Sequence, residues 1–265
     1  MKGVLDPQGV IAKAELLLLG DATAIMLAVI VPVILMTLAV GWWFRSSNTR
    51  ARYRPDWAYS GRVEFVTWSI PALVIMFLGG LTWVSTHELD PPRPIASANP
   101  ELEIQVIALD WKWLFIYPEQ GIATVNRLVV PADTPLRFRI TSGNVMNSFF
   151  VPQLGGQIYA MPRMENTLYL QADTAGTFDG LSSNYSGAGF SKMRFDVVAV
   201  DDDSFDAWVE ATRDRSLELN AITFALLAQP STLSKPLAFS DVAPGLYEAV
   251  LEYGSSLVPF TPAGQ

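Results

Sequence analysis

Two charge-free apolar runs near the N-terminus constrain this chain more than any other feature. They read "ATAIMLAVIVPVILMTLAVGWWF", residues 22–44, and "FVTWSIPALVIMFLGGLTWV", residues 65–84. At 23 and 20 residues, each is long enough to cross a hydrocarbon core of roughly 30 Å as a helix. Trp42, Trp43, Trp68 and Trp83 lie near the ends of the runs, where amphipathic rings anchor a helix at the headgroup level. Pro32 and Pro71 fall inside them, which a packed membrane helix tolerates. The runs predict a transmembrane hairpin with helices over 22–44 and 65–86, preceded by an outer segment, 1–21.

The segment between the runs decides the orientation. Residues 45–64 carry Arg45, Arg50, Arg52, Arg54 and Arg62 against Asp56, then close on Glu64 at the mouth of the second run. The stretch 45–62 has a net charge of +4, and the positive-inside rule places such a loop in the cytoplasm. Both ends of the hairpin then lie outside. Residues 88–265 hold 11 basic and 21 acidic side chains. So acidic an outer domain argues against nucleic acid as a partner and says nothing about protein partners. There is no cysteine in the sequence, which excludes a disulfide framework or a thiolate metal site within it. "MKGVLDPQGVIAKAE" has no signal-like apolar core ahead of the first run. Either that run is the export signal, or the N-terminus is a mature or rebuilt one.

After a linker, 87–100, containing "HELDPPRPIASANP", the periodicity changes. "ELEIQVIAL" alternates, with Leu102, Ile104, Val106 and Ala108 on one face, the pattern of a half-buried strand. Further short runs, "WKWLFIY", "NRLVVPADTPLRFRITS", "SFFVP", "TLYLQAD" and "KMRFDVVAV", follow with Gly, Pro, Asn and Asp between them. That spacing predicts a β-sandwich or barrel over 101–200. Residues 201–265 predict a helical C-terminal extension. Its opening "DDDSFDAWVEATRD" reads as a helix start capped by Asp203, with Asp206 at the third helical position. A calcium loop needs spaced ligands and a turn glycine, which this run lacks.

One loop of the outer domain asks for an explanation. Residues 180–195 read "GLSSNYSGAGFSKMRF". Ser182 and Ser186 stand four apart, and Met193 lies seven further on. The spacing suits ligands, but the residue types bind metals poorly.

A helical hairpin, a proline-rich linker and an outer sandwich resemble subunit II of the haem–copper respiratory oxidases. "VEFVTWSIPALVIMF" is similar to the start of that family's second span, "DWKWLFIYPEQG" to its aromatic segment, and "VMNSFFVP" to the loop that supplies the first copper-binding histidine in the cytochrome c-oxidising branch. The resemblance covers roughly residues 5–200 and, more loosely, the tail. It implies a membrane-anchored all-β chain: the two-helix hairpin, a cupredoxin-like Greek-key β-sandwich and the short helical extension.

In the cytochrome c-oxidising branch the sandwich binds the two-copper centre CuA through that histidine and a later Cys, Glu, Cys, His and Met. Laid on this sequence without a gap, the histidine falls on Asn147, and the later five on Ser182, Asn184, Ser186, Phe190 and Met193. Only the methionine matches. The resemblance therefore implies a loop with the length and turns of a CuA loop and no metal or other cofactor in this chain. With "YSGAGFS", the pattern resembles subunit II of the cytochrome bo-type ubiquinol oxidases.

That branch implies a non-catalytic subunit of a proton-pumping, oxygen-reducing terminal oxidase in a bacterial inner membrane, its large C-terminal domain periplasmic. Haems and copper are expected in subunit I, the main partner, with subunits III and IV beside it; membrane lipid and ubiquinol are met at the level of the complex. Glu64 matches a family glutamate at the mouth of a proton channel, seven residues before Pro71; as an isolated feature it also reads as a helix-start acid. Trp111 and Trp113 match electron-entry aromatics, whose role without CuA becomes packing, against subunit I or within the sandwich. The rival reading is a free-standing, membrane-tethered cupredoxin-like binding module. A cytochrome c oxidase subunit is excluded by the missing ligands.

Overall fold

The computed structural model describes residues 3–52 and 54–255. They form two compact units, one within residues 17–89 and the other within residues 3–16 and 90–255.

The first unit contains most of two long helices, α1 (Val10–Trp43) and α2 (Gly61–Glu88), both long and apolar enough to cross a membrane. Their apolar residues cover the whole circumference, so no single face is marked for a core, and α2 has no buried residue. α1 starts well ahead of the predicted 22, because "VIAKAELLLLGD" is dominated by strong helix formers (Ala, Leu, Lys and Glu) and one interior Gly does not end it. Its 34 residues extend about 50 Å at 1.5 Å per residue. α2 likewise starts at Gly61, behind Ser60 in extended geometry, and takes residues 87 and 88 from the predicted linker.

The second unit is a sandwich of two mixed sheets. Strands β1 (Leu102–Leu109), β2 (Lys112–Tyr117) and β3 (Ile122–Val125) form an antiparallel meander. β4 (Arg127–Pro131) crosses to the other sheet, and β5 (Leu136–Ser142) returns to pair in parallel with β1. β8 (Asn166–Leu170) continues that sheet. β6 (Asn147–Phe150), β7 (Ile158–Ala160), β9 (Gly176–Ser182) and β10 (Arg194–Val200) join β4 in the second sheet, in the order β4-β10-β9-β6-β7.

The core between the sheets is aromatic. Trp113 and Phe115 from one sheet meet Phe149 and Phe195 from the other, and the Phe149 and Phe195 rings stack at 5.1 Å. Phe195 lies opposite Gly180 in the ladder, and a Cβ on Gly180 would fall 2.2 Å from its ring. The glycine is required by that close approach.

β1 is not the half-buried strand its alternation predicts. Its second face, Ile107 and Leu109, is buried as completely as its first. The cover comes from the C-terminal extension. After α3 (Asp202–Arg213) the chain runs through β11 (Glu218–Leu219), α4 (Ala221–Leu227), β12 (Leu237–Phe239), β13 (Asp241–Val242) and α5 (Leu246–Tyr253). Leu219, Phe224, Phe239, Leu246 and Val250 form a second apolar cluster on Ile107, Leu114 and Ile116. The extension is therefore not purely helical: β12 pairs with β3 and makes the edge of the six-stranded sheet, β12-β3-β2-β1-β5-β8. The cap of α3 is also a correction. Asp201, not Asp203, accepts from the Ser204 backbone N–H at 2.8 Å, so the helix starts earlier and Asp202 and Asp203 form its first turn.

One cation fastens the extension to the sheet. Lys112 sits at the start of β2 and is fully buried. Its Nζ donates to the carbonyls of Leu227 (2.9 Å), Gln229 (2.8 Å) and Asp110 (3.2 Å). Two of these belong to the end of α4, where the helix leaves its carbonyls unpaired. Burial holds the Lys112 pKa below that of a free lysine, and the nearby Asp110 charge opposes the shift. Replacing Lys112 by Met keeps the length of the side chain and leaves those carbonyls without their donor. Lys112→Met is expected to cost about 2 kcal/mol and to speed limited proteolysis within 228–236 in the detergent-solubilised chain. Unchanged melting and cleavage would show that the apolar cluster alone holds the extension.

Candidate functional site

The positions that the resemblance marks as copper ligands come together at one end of the sandwich. Two connections build the place: the β5–β6 loop, 143–146, and the β9–β10 loop, 183–193, which ends in a single 3-10 turn, Phe190–Lys192. β6 and β9 are antiparallel neighbours, with Phe149 opposite Ser182, so Asn147, the first residue of β6, lies diagonal to Ser182, the last of β9. The longer loop is closed at its base by Ser182 N–H donating to Met193 O at 3.1 Å.

Asn147 and Ser182 are buried and adjacent. Ser182 Oγ lies 3.2 Å from Asn147 Oδ1 and 3.3 Å from the Asn184 carbonyl, and its one proton serves either. Asn147 Nδ2 donates to Val145 O at 3.0 Å. Asn184 Nδ2 donates across to the other loop, to Met146 O at 3.3 Å. Ser186 Oγ points at the sulfur of buried Met193, 3.9 Å away. Phe190 does not point into this group; it packs edge-on against Tyr185 at 5.7 Å. The structure thus joins Asn147, Ser182 and Asn184 in one hydrogen-bonded set, joins Ser186 to Met193, and leaves Phe190 on the rim.

These donors do not fit a two-copper centre. Copper of that kind is held by thiolates and imidazoles, and the group offers amides, hydroxyls and one thioether. Among the described residues, no three His, Asp or Glu side chains gather where they could hold a metal ion. The single histidine, His87, belongs to the other compact unit, where its Nδ1 lies 2.7 Å from Trp83 O one helical turn back.

The two tryptophans separate. Trp113 is completely buried between the sheets, so its side chain packs within the sandwich and has nothing left to offer another subunit. Trp111 lies beside the loop. It adopts a left-handed backbone, φ 65°, at the β1–β2 turn, and its indole N–H donates to Ser186 O at 2.9 Å. Its ring rests on Gly189, where a Cβ would come within 2.2 Å. Gly187, with φ +104°, supplies a turn that residues with a Cβ rarely adopt.

Two contributors lie outside the motif positions. Gln157 Oε1 accepts from Ser148 Oγ at 3.2 Å and from Ser183 Oγ, tying the long loop to β6. Asn144 Nδ2 donates to Asp110 Oδ2 at 3.0 Å, tying the short loop to the Trp111 turn. Neither carries a sequence signal beyond an ordinary polar loop residue. The seat of Trp111 does leave one, the two glycines of "SGAGF". Glu64 is elsewhere: it is exposed, in the first turn of α2, and its N–H donates to Ser60 O at 2.9 Å.

Comparison with known proteins supplies the family. The domain family described as "Cytochrome C oxidase subunit II, periplasmic domain" matches residues 117–200. The cytochrome bo(3) ubiquinol oxidase subunit 2 of Pseudomonas aeruginosa is 50% identical over 94% of this chain and 75% of its own length. The ubiquinol oxidase subunit 2 of Acetobacter aceti is 47% identical over 96% of this chain and 84% of its own. Among solved structures, the periplasmic domain of subunit II of cytochrome oxidase from Bradyrhizobium japonicum is 27% identical, with a TM-score of 0.41, over 42% of this chain and 91% of that one. With two candidate membrane helices ahead of a cupredoxin-like sandwich, the chain belongs to the ubiquinol oxidase subunit 2 family of the haem–copper oxidases.

Proposed function

We propose that this chain is the non-catalytic subunit II of a proton-pumping terminal oxidase that oxidises ubiquinol and reduces oxygen to water. One observation carries the reading: the polar side chains in the loop pair are spent on each other and on the loops' own carbonyls, where a cytochrome c-oxidising relative would need thiolates and imidazoles. An outer copper port serves a water-soluble electron donor. A lipid-soluble quinol delivers its electrons within the bilayer, so the port has no task. Two quinols supply the four electrons that reduce one oxygen to two waters. On this reading haems, copper and the main quinol pocket belong to subunit I. This chain contributes a two-helix brace and a copper-free cap, with subunits III and IV completing the complex. The net charge of +4 on 45–62 sets the hairpin loop on the cytoplasmic side of a bacterial inner membrane, and the acidic sandwich in the periplasm.

Two measurements address the donor. The full chain in detergent, titrated with copper, is expected to develop no thiolate-to-copper absorption; stoichiometric tight binding would contradict the reading. Oxygen uptake by the purified complex is expected to depend on added quinol. Brisk uptake with reduced cytochrome c as the sole donor would refute it.

Glu64 has a separate role in the proposal, as a carboxylate that gathers protons at the cytoplasmic edge. Its support is an exposed position in the first turn of α2, beside a basic loop and two helical turns before Pro71. Glu64→Gln keeps the shape and removes the ionisable group. Quinol oxidase turnover per haem is expected to fall severalfold, with assembly and haem content unchanged, and Glu64→Asp to retain part of it. A helix-start acid with no further role would cost only about 0.3–1 kcal/mol of stability, and turnover in Glu64→Gln would match the unsubstituted complex.

A further inference from the structure

The connection between α1 and α2 is a folded structure. Asn48 organises it: its N–H donates to Arg45 O at 3.0 Å, its Nδ2 to Trp43 O at 2.5 Å, and its Oδ1 accepts from Arg50 N–H at 3.1 Å. A further turn brings Trp57 N–H to Arg54 O at 3.3 Å. These turns border an open cavity of about 910 Å³ lined by Arg45, Arg50, Arg52, Arg54, Trp43 and Trp57, among others. That is large for a small-molecule site, where roughly 300–1,000 Å³ is usual.

The four arginines are not equivalent. Arg45 is engaged: it donates to Ser47 Oγ at 2.9 Å and to Trp42 O at 3.2 Å, and lies 4.8 Å over the Trp42 ring. Arg50, Arg52 and Arg54 are exposed, and their guanidinium groups have no hydrogen-bond or ion-pair partner among the described residues. Asp56, the one acid of the segment 45–62, forms no ion pair with them among the described residues. Three like charges around one cavity repel one another until an anion enters, and guanidinium forks suit phosphate oxygens.

The surroundings select the anion. The cavity lies where α1 ends and shortly before α2 begins, beside the exposed rings of Trp42, Trp43, Trp57 and Tyr59. Aromatics of this kind sit at the headgroup level of a bilayer. The apolar surfaces of both helices start at the same place and would accept acyl chains. A soluble phosphate compound would use the arginines and leave the rings and helix surfaces without a role.

We propose that the arginine cavity between α1 and α2 binds the headgroup phosphate of an anionic phospholipid. The inference needs the two helices to lie in a bilayer, and is independent of the electron donor and of Glu64.

The test is native mass spectrometry of the full chain in detergent micelles, titrated with phosphatidylglycerol or with phosphatidylcholine. The chain is expected to retain one phosphatidylglycerol roughly tenfold or more tightly than phosphatidylcholine. Arg50→Gln, Arg52→Gln and Arg54→Gln combined should remove that preference, with helicity by circular dichroism unchanged. The corresponding triple Lys variant keeps the charge and loses the fork, and should retain an intermediate preference; it serves also if the Gln variant fails to fold. Equal retention of the two lipids by the unsubstituted chain overturns the proposal, as does an undiminished preference in the Gln variant. Displacement of the lipid by an equal concentration of inorganic phosphate reveals an anion site without lipid character, and overturns it too. So does a Gln variant that keeps its lipid but loses other subunits on purification, since the arginines would then serve a protein partner.

Discussion

A strand buried on both faces needs two covers, and the sandwich is organised around that requirement. β2 alternates Trp113, Phe115 and Tyr117 toward the second sheet with Leu114 and Ile116 toward the C-terminal extension. At about 25 cal/mol per Å² of apolar surface, leaving either side in water would forfeit several kcal/mol from this strand alone. The second sheet covers one side, and the extension from β11 to α5 covers the other. Tyr117 also bonds across the core: its hydroxyl pairs with both the carbonyl and the N–H of Val129 at 2.9 Å. Burial pushes that phenol's pKa far up, so it remains a neutral donor. β2 therefore fixes the position of β4, and the C-terminal cover fixes the far edge of the sheet through β12.

The loop pair at the sandwich end inherits this rigidity. Its base is set by the β6–β9 and β9–β10 ladders, and its wall by Trp111, which the β1–β2 turn holds in a left-handed conformation. Within that frame three contacts set the course of the loop. The indole on Gly189, the bond to Ser186 O and the closure from Ser182 to Met193 each fix a different part of it. Val145, Met146 and Tyr185 are the large apolar side chains that the loop pair leaves exposed.

The sequence made some of this legible and hid the rest, for physical reasons. The apolar runs announced the helices because a bilayer-length stretch without charge has few other uses. The helix starts were missed because hydropathy reports solvent, whereas α1 continues through polar residues for as long as they favour helix. The alternation of β1 showed strand and one buried face. Its other face, "EQIL" at 103, 105, 107 and 109, mixes polar and apolar residues, and only the fold reveals that Ile107 and Leu109 are covered from more than a hundred residues away. The six motif positions could be named from the sequence because their spacing is local. Gln157, Asn144 and Lys112 were not readable, since each acts on hydroxyls, a carboxylate or carbonyls that the topology brings to it.

The six motif positions divide by burial, and the division accounts for which residue types stand there. Asn147, Ser182 and Met193 are buried. A buried polar atom left without a partner costs about 1–3 kcal/mol, so positions 147 and 182 must either be apolar or satisfy each other, and Asn with Ser does the latter at 3.2 Å. Met193 is 1% exposed and belongs to the core between the sheets. Its thioether is as useful there for filling space as for meeting a metal, which gives the one matching position a reason to be methionine that involves no copper. Asn184, Ser186 and Phe190 are only partly buried, so water can satisfy what the protein does not, and the choice of residue is looser. Phe190 illustrates this: it offers no ligand atom and packs edge-on against Tyr185 at the rim. Packing and hydrogen bonding therefore give each of the six residues a partner within the protein itself.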